Sequence, residues 1–229
     1  MSRPWQIAFR VRNLCAGMLV TALWAGSGMP AFAHPHVWID ADAQMVFEND
    51  KITAITIHWL FVDLFSMTLI DEFDENHDLR FFDQENTAVH DNAFVALADV
   101  SWLTHLRTNE KLVSFKGAKD FKADITDDRR VSYDFTLMLN EPLDPTKDNI
   151  ALSVYDAEFY IDVAFTEVDP ILFRGNTKTK CHYEMSEDDK NRIYFDLVSP
   201  IRADLVCQHD LANAGSDHGL AGDDLLSVQ

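Results

Sequence analysis

Two histidines, His34 and His36, flank Pro35 directly after a segment that resembles a secretory signal. Cleavage after Ala33 would make His34 the amino terminus, where an α-amine and an imidazole that both lose protons near neutral pH can chelate one metal ion. Pro35 has no amide proton to lose, so the square-planar copper or nickel site that uses deprotonated backbone amides cannot form in its usual manner. The remaining donors are two imidazoles, an amine and nearby carboxylates, a set that suits zinc and also accepts nickel or copper.

The first residues of the chain have the three parts of a secretory signal. Three arginines lie in this segment, residues 14–24 form an apolar run, and Ala31 with Ala33 supplies the small residues of a cleavage site. The apolar run is shorter than the roughly 20 residues that a membrane-spanning helix needs, which disfavours the alternative of a retained signal anchor. We therefore expect residues 1–33 to be a cleaved signal peptide and the mature chain to be periplasmic.

Composition narrows the class of protein. The formal net charge is −19 over 229 residues, and 47% of the residues are hydrophobic, enough for a real core. The negative charge repels nucleic acid and anionic lipid and attracts cations, so we expect neither nucleic acid nor a lipid surface as a partner. The sequence has no H-E-x-x-H, G-x-S-x-G or phosphate-binding glycine motif. We therefore expect a binding protein and no enzymatic activity.

The start of the mature chain has the alternation of a β-hairpin whose turn is centred on Asp50. Pairing the two apolar faces about that turn places His58 opposite Asp42 and Val37 opposite Asp63. This register brings the amino-terminal histidines within reach of the Asp63 carboxylate.

The rest of the expected domain, which covers residues 34–207, is also mostly β. An apolar face with helical spacing predicts a helix at about residues 89–102. From residue 208 to 229 the chain is rich in small and acidic residues, which predicts a disordered tail. Further β-branched, aromatic or alternating stretches predict strands at residues 131–139, 150–165 and 192–198. We expect a β-sandwich-like domain with one helical insertion after the first hairpin.

An acidic stretch follows the hairpin and matches a calcium-binding loop in part. Asp74, Asn76, Asp78 and Glu85 occupy its first, third, fifth and twelfth positions. The sixth position calls for glycine because the chain turns there with positive φ, and Leu79 carries a steric penalty. The stretch is either a degenerate calcium-like loop or a solvated acidic turn before a helix.

The two cysteines of the expected mature chain are Cys181 and Cys207. An even pair in an oxidising compartment favours a disulfide, worth about 3.5 kcal/mol by the chain-entropy estimate. The alternative, a two-thiolate metal site, lacks the close C-x-x-C spacing of structural zinc.

Several segments, in the same order along the chain, resemble one known family. They are His34-Pro35-His36-Val37-Trp38, residues 59–66, the acidic loop with its following helix, Trp102-Leu103-Thr104, Tyr155-Asp156 with Tyr160, and Cys181. Together they span most of the mature chain and resemble the periplasmic proteins grouped as domain of unknown function 1007. The resemblance implies a metal-binding protein associated with zinc uptake, or with nickel and cobalt handling, beside an inner-membrane permease.

The chain departs from that family's pattern at two positions. Val62 replaces one of two adjacent acidic residues, so Asp63 is the carboxylate that remains, and Leu79 replaces the usual glycine of the acidic loop. The resemblance therefore transfers a ligand role to His34, His36 and Asp63, and it leaves the loop degenerate.

Asp156 completes the candidate ligand set. It follows an apolar, strand-like segment, where a carboxylate either caps a turn or faces a site, and both alternatives stay open. His58 and His105 are each isolated in the sequence, and such a histidine is more often a hydrogen-bonded residue than a ligand.

Three classes of function follow from these residues. The first is an extracytoplasmic protein that captures zinc, or nickel or cobalt, and delivers it to a membrane permease. The second is a copper-binding protein or enzyme built on an amino-terminal histidine brace. The third is a structural β-sandwich without metal function.

Overall fold

The computed structural model describes residues 35–209. The expected signal peptide, His34 and nearly all of the expected acidic tail lie outside these residues. Strand β11 extends to His209, the second residue of the segment expected to be tail.

The first hairpin has the predicted register from the Val46–Ala54 pair to its far end, whereas a β-bulge between Val46 and Phe47 shifts the pairing by one residue beside the turn. Strands β1 (Val37–Glu48) and β2 (Lys51–Phe61) pair so that Ile39 lies opposite Phe61, and Asp42 opposite His58. The strict alternation of buried and half-buried residues along β1 explains this register, because a one-residue slip would expose the whole apolar row. The ladder ends two positions before the predicted Val37–Asp63 pair, because a helix begins at Asp63.

The helical insertion after the hairpin is confirmed, although its elements differ from the expected single helix. It consists of α1 (Asp63–Phe73), α2 (Asp83–Val89), a π-helical turn (His90–Phe94) and a 3₁₀ segment (Val95–Leu103). The expected helix at residues 89–102 is therefore wrong as a regular α-helix. The last residues of the 3₁₀ segment, Ser101, Trp102 and Leu103, have left-handed backbone with φ of 54°, 49° and 53°.

The remaining strands complete two sheets. They are β3 (Thr104–Thr108), β4 (Lys111–Leu112), β5 (Phe115–Ile125), β6 (Val131–Leu143), β7 (Ile150–Val154), β8 (Ile161–Phe165), β9 (Ile171–Gly175), β10 (Thr179–Glu187) and β11 (Ile201–His209). The first sheet has the order β5-β6-β2-β1-β8, and β9 also pairs with β1. The second sheet has the order β10-β11-β7-β3-β4. The fold is thus mainly β and sandwich-like, as the sequence predicts.

One hydrophobic core contains residues of both sheets and of the insertion. In the first sheet, the ring of Trp59 packs edge-on against Phe135 with centroids 5.0 Å apart. Leu106 and Leu152 contribute from the second sheet, and Phe94 from the π-helical turn. Burial of these large side chains is the main stabilising contribution.

Two predicted strands are corrected by the structure. Residues 150–165 form two strands, β7 and β8, which a turn separates at residues 155–160. Residues 192–198 form a turn closed by an isolated bridge between Ile193 and Val198, and Phe195 within it is 86% exposed. Aromatic enrichment suggested a strand there, but Tyr194 contacts Phe159, Phe195 is exposed, and neither residue lies in a strand.

The predicted disulfide is confirmed. Cys181 and Cys207 lie opposite each other on β10 and β11, and their sulfur atoms are bonded at 2.07 Å. The bond ties the edge strand β10 to the interior of its sheet.

Candidate functional site

The turn between β7 and β8 is organised by the side chain of Asp156. One carboxylate oxygen accepts the backbone N–H of Glu158 at 3.1 Å. The other accepts those of Tyr160 at 2.9 Å and Ile161 at 3.1 Å. Of the two roles that the sequence left open, Asp156 therefore has at least the first, that of capping a turn.

Tyr160 connects this turn to the amino-terminal end of the fold. Its backbone carbonyl accepts the N–H of His36 at 2.9 Å and that of Val37 at 3.3 Å. Its ring lies against the His36 imidazole, with centroids 4.7 Å apart and planes tilted by 39°. Asp156 and His36 are thus joined through a single residue, and the turn fixes the place where β1 begins.

Asp63 lies at the same end of the fold. It is exposed and stands in the first turn of α1, where a negative charge favours the helix dipole. The preceding residue, Val62, donates its N–H to the carbonyl of Trp38 at 3.1 Å, so α1 begins beside the start of β1. The hydroxyl of Ser66 donates to the Phe61 carbonyl and accepts the Val131 N–H, which anchors the helix.

Three of the four predicted metal ligands, His36, Asp63 and Asp156, are therefore found at one end of the domain. The fourth, His34, precedes the first described residue. Within residues 35–209, no three His, Cys, Asp or Glu side chains are arranged to hold a metal ion. The possible ligands thus lie at the same end of the domain, but they do not form a preorganised metal site.

His105 is a further candidate at this end, which sequence reasoning treated as a hydrogen-bonded residue. Its ring stacks on that of Tyr155 with centroids 3.7 Å apart and planes within 10°. Nε2 lies 3.1 Å from the Tyr155 carbonyl oxygen. Burial lowers the pKa of His105, and the charge of Arg107 adds to this effect. The predicted hydrogen bond is present, but the stacking depends on pairing β3 with β7, which no local pattern indicated.

The acidic loop lies between α1 and α2 and closes on itself. Asp74 is 1% exposed, and its carboxylate accepts the backbone N–H of Asp78 at 3.2 Å and of Leu79 at 3.0 Å. Asn76 accepts the Asp78 N–H as well, at 2.8 Å. Leu79 has a φ of 61°, the positive value that the missing glycine would have supplied. Glu85 accepts the N–H of residue 82 at 3.1 Å and so caps α2.

His58 lies between two aspartates on the half-exposed face of the first sheet. Nδ1 of His58 lies 2.8 Å from a carboxylate oxygen of Asp134, and Asp42 is its neighbour on the other side. The hydrogen bond to Asp134 raises the pKa of His58. Burial raises the pKa of Asp42. His58 thus lies between two carboxylates on the face of the sheet, and it forms an ion pair with Asp134 when it is protonated.

No helix among residues 35–209 is long and apolar enough to cross a membrane.

Comparison with known proteins identifies the family. Residues 18–213 match the model of a family described as protein of unknown function (DUF1007). The chain belongs to this family. No curated protein matches the chain. The segments through which the sequence resembled DUF1007 proteins include Trp102-Leu103-Thr104 and Tyr155-Asp156, and these meet in the fold, because Tyr155 donates its N–H to the Leu103 carbonyl at 2.8 Å.

Proposed function

We propose that this protein is an extracytoplasmic metal-binding protein. It captures zinc, or nickel or cobalt, at its amino-terminal end and delivers the ion to an inner-membrane permease. Coordination is reversible, and no chemical turnover takes place.

The observation that carries this proposal is the attachment of the start of β1 to the 155–160 turn. Two N–H bonds to the Tyr160 carbonyl hold the backbone of His36 and Val37 in place. The imidazole of His36 is exposed, and so is the carboxylate of Asp63 at the start of α1. A fixed backbone reduces the conformational entropy that a flexible terminus would lose on binding an ion. This supports a terminus that serves as a binding element.

The roles within the ligand set differ. His34, with its amine and imidazole, and His36 supply nitrogen donors, and Asp63 supplies oxygen. Asp156 already accepts three backbone N–H groups. An ionised carboxylate has about four lone-pair sites, so one remains for a metal ion or a metal-bound water. Its larger contribution is to hold Tyr160 and thereby His36.

The net charge supports a cationic cargo over an anionic one. A formal charge of −19 raises the local concentration of cations near the surface. Because the field acts on all cations, selection among metals depends on the donor atoms. Two imidazoles and an amine favour zinc, nickel, cobalt and copper over calcium and magnesium.

The deciding experiment is a calorimetric zinc titration of protein that begins at His34, beside protein with one extra residue before His34. The extension moves the α-amine away while leaving the fold intact, so we expect zinc affinity to fall at least tenfold. Equal affinity would remove the amine from the ligand set. Because protons compete for the nitrogen donors, affinity should also fall between about pH 7 and pH 5.

A thermal scan with each metal separates the alternatives. Copper binds nitrogen donors more tightly than zinc in either kind of site, so a histidine-brace copper protein is recognised by stabilisation with copper and none with zinc. A structural sandwich would show no shift in melting temperature with any of these metals, whereas a metal-binding protein is stabilised by mass action.

A further inference from the structure

A cavity of about 440 Å³ lies beside His105. Tyr155 and Asp156, from the start of the turn that holds His36, also line it. Its wall includes the apolar side chains of Leu103 and Leu112. Three carboxylate residues, Asp99, Asp156 and Glu158, also line it. A mostly apolar cavity with a few convergent polar groups is the usual form of a small-ligand site.

The hydrogen bond of His105 fixes its tautomer. A backbone carbonyl can only accept, so Nε2 must carry the proton that is donated to the Tyr155 oxygen at 3.1 Å. In the neutral ring Nδ1 then holds a lone pair. The face-to-face contact with Tyr155 at 3.7 Å fixes the plane of the ring as well.

The same ring is neutral near pH 7 and reachable. Burial and the charge of Arg107 lower its pKa against the opposing effects of the Tyr155 carbonyl and Asp156. Among residues 35–209, Nδ1 of His105 makes no hydrogen bond, and it is not one of the buried side-chain atoms that lack a partner. Solvent therefore reaches Nδ1.

This arrangement has the features of a metal-ligating histidine. Such a residue binds the ion through one neutral ring nitrogen and donates the other N–H to a carbonyl or carboxylate, which fixes tautomer and orientation. The wall carboxylates offer oxygen donors beside it. They are not preassembled, since the described part of the chain holds no three-donor group. The ion must draw them together, which makes the site weak.

We propose that the cavity is a second metal site, in which Nδ1 of His105 binds a divalent transition-metal ion such as zinc together with carboxylate oxygens of the cavity wall and water. The choice of metal for this site rests on the proposed function, because both sites would bind the same ion. Its nitrogen ligand is independent of the amino terminus. Both sites adjoin one turn, Tyr155 to Tyr160. An ion that leaves the amino terminus can therefore bind at a nearby site of lower affinity.

Zinc titration of the mature chain labelled with ¹⁵N at histidine tests the proposal without any mutation. Long-range nitrogen–proton spectra resolve the two ring nitrogens of each histidine. We expect His36 to respond to the first equivalent and Nδ1 of His105 to respond at a zinc concentration at least tenfold higher. An unchanged Nδ1 signal of His105 at millimolar zinc would overturn the proposal.

Two variants connect the signal to binding. His105→Gln should remove the weaker binding step in calorimetry and leave the tighter one unchanged, while His182→Gln, an exposed histidine on β10, should leave both. Retention of both steps in His105→Gln would overturn the second site. If the extra residue before His34 leaves the tighter step unchanged while Nδ1 of His105 still responds, the result counts against the proposed capture site and leaves the second site standing.

Discussion

Two turns in this molecule are built on an aspartate that accepts backbone N–H groups, and they differ in what they leave exposed. Asp74 accepts two amides of its own loop and is itself 1% exposed, so that loop is closed. Asp156 is half-buried and accepts three amides, one of which belongs to Tyr160, the residue that holds His36. The same device thus closes one turn on itself and presents a neighbouring histidine in the other. An aspartate at the start of a turn therefore does not by itself tell which of these outcomes follows.

The largest effect should come from the closed turn. Asp74→Ala removes a buried carboxylate that is the acceptor of the Leu79 N–H and one of two acceptors of the Asp78 N–H, so we expect a loss of about 2 kcal/mol in the free energy of unfolding. Urea denaturation measures it. Asp71→Ala, an exposed acid in α1, is the control and should change stability by no more than about 0.5 kcal/mol. A loss of zinc affinity in Asp74→Ala larger than in Asp156→Ala would reverse the contrast between the turns.

The open turn should show its effect in binding. Asp156→Ala frees the backbone of Tyr160, so His36 loses its fixed position, and zinc affinity should fall by about 10- to 100-fold. Stability should fall by about 1–2 kcal/mol because the released amides can reach water. Calorimetry and denaturation measure the two. Glu167→Ala, an exposed acid beyond β8 that is in neither proposed ligand set, serves as the control for affinity, and an unchanged affinity in Asp156→Ala would show that this turn, too, is only structural.

The hairpin register was predictable because it depends on alternation about one turn, but the predicted pairing of Asp63 with Val37 was wrong, because a helix begins at Asp63. The turn at residues 155–160 was not predictable, since β-branched and aromatic neighbours made residues 150–165 look like a single strand. The bonds that join Asp156, Tyr160 and His36 need β8 to pair in parallel with β1, far away in the sequence. Alternation fixes which face a residue occupies, but it does not tell which distant strand will lie beside it. The stack of His105 on Tyr155 was missed for the same reason.

The closed loop can be altered at the position where it departs from the calcium pattern. Leu79→Gly removes the penalty of a side chain at a φ of 61°, so we expect stabilisation by about 0.5–1 kcal/mol. If Leu79 is what makes the loop degenerate, millimolar calcium should raise the melting temperature of Leu79→Gly more than that of the unaltered protein. His77→Gly, at a φ of 60° in the same loop, relieves similar strain without restoring the pattern. Equal calcium responses in both variants would exclude Leu79 as the cause.

The carboxylate of Asp134 accepts a hydrogen bond from His58, a group that titrates near neutral pH. Removing this hydrogen bond should have the smallest effect on stability. Backbone amides keep their protons at every pH of interest, whereas His58 beside Asp134 has a raised pKa because of their hydrogen bond. Its contribution to stability is therefore complete below the pKa of the unfolded chain and is lost as the pH rises through the folded value. Both side chains are more than a third exposed, so solvent screening limits the pair to about 0.5 kcal/mol. Asp134→Asn should be less stable than the unaltered protein by that amount at pH 5.5, and the difference should shrink at pH 8.5. Asp42, the other carboxylate facing His58, stays in place in both proteins, so a difference that grows with pH would contradict the assignment to the His58–Asp134 pair.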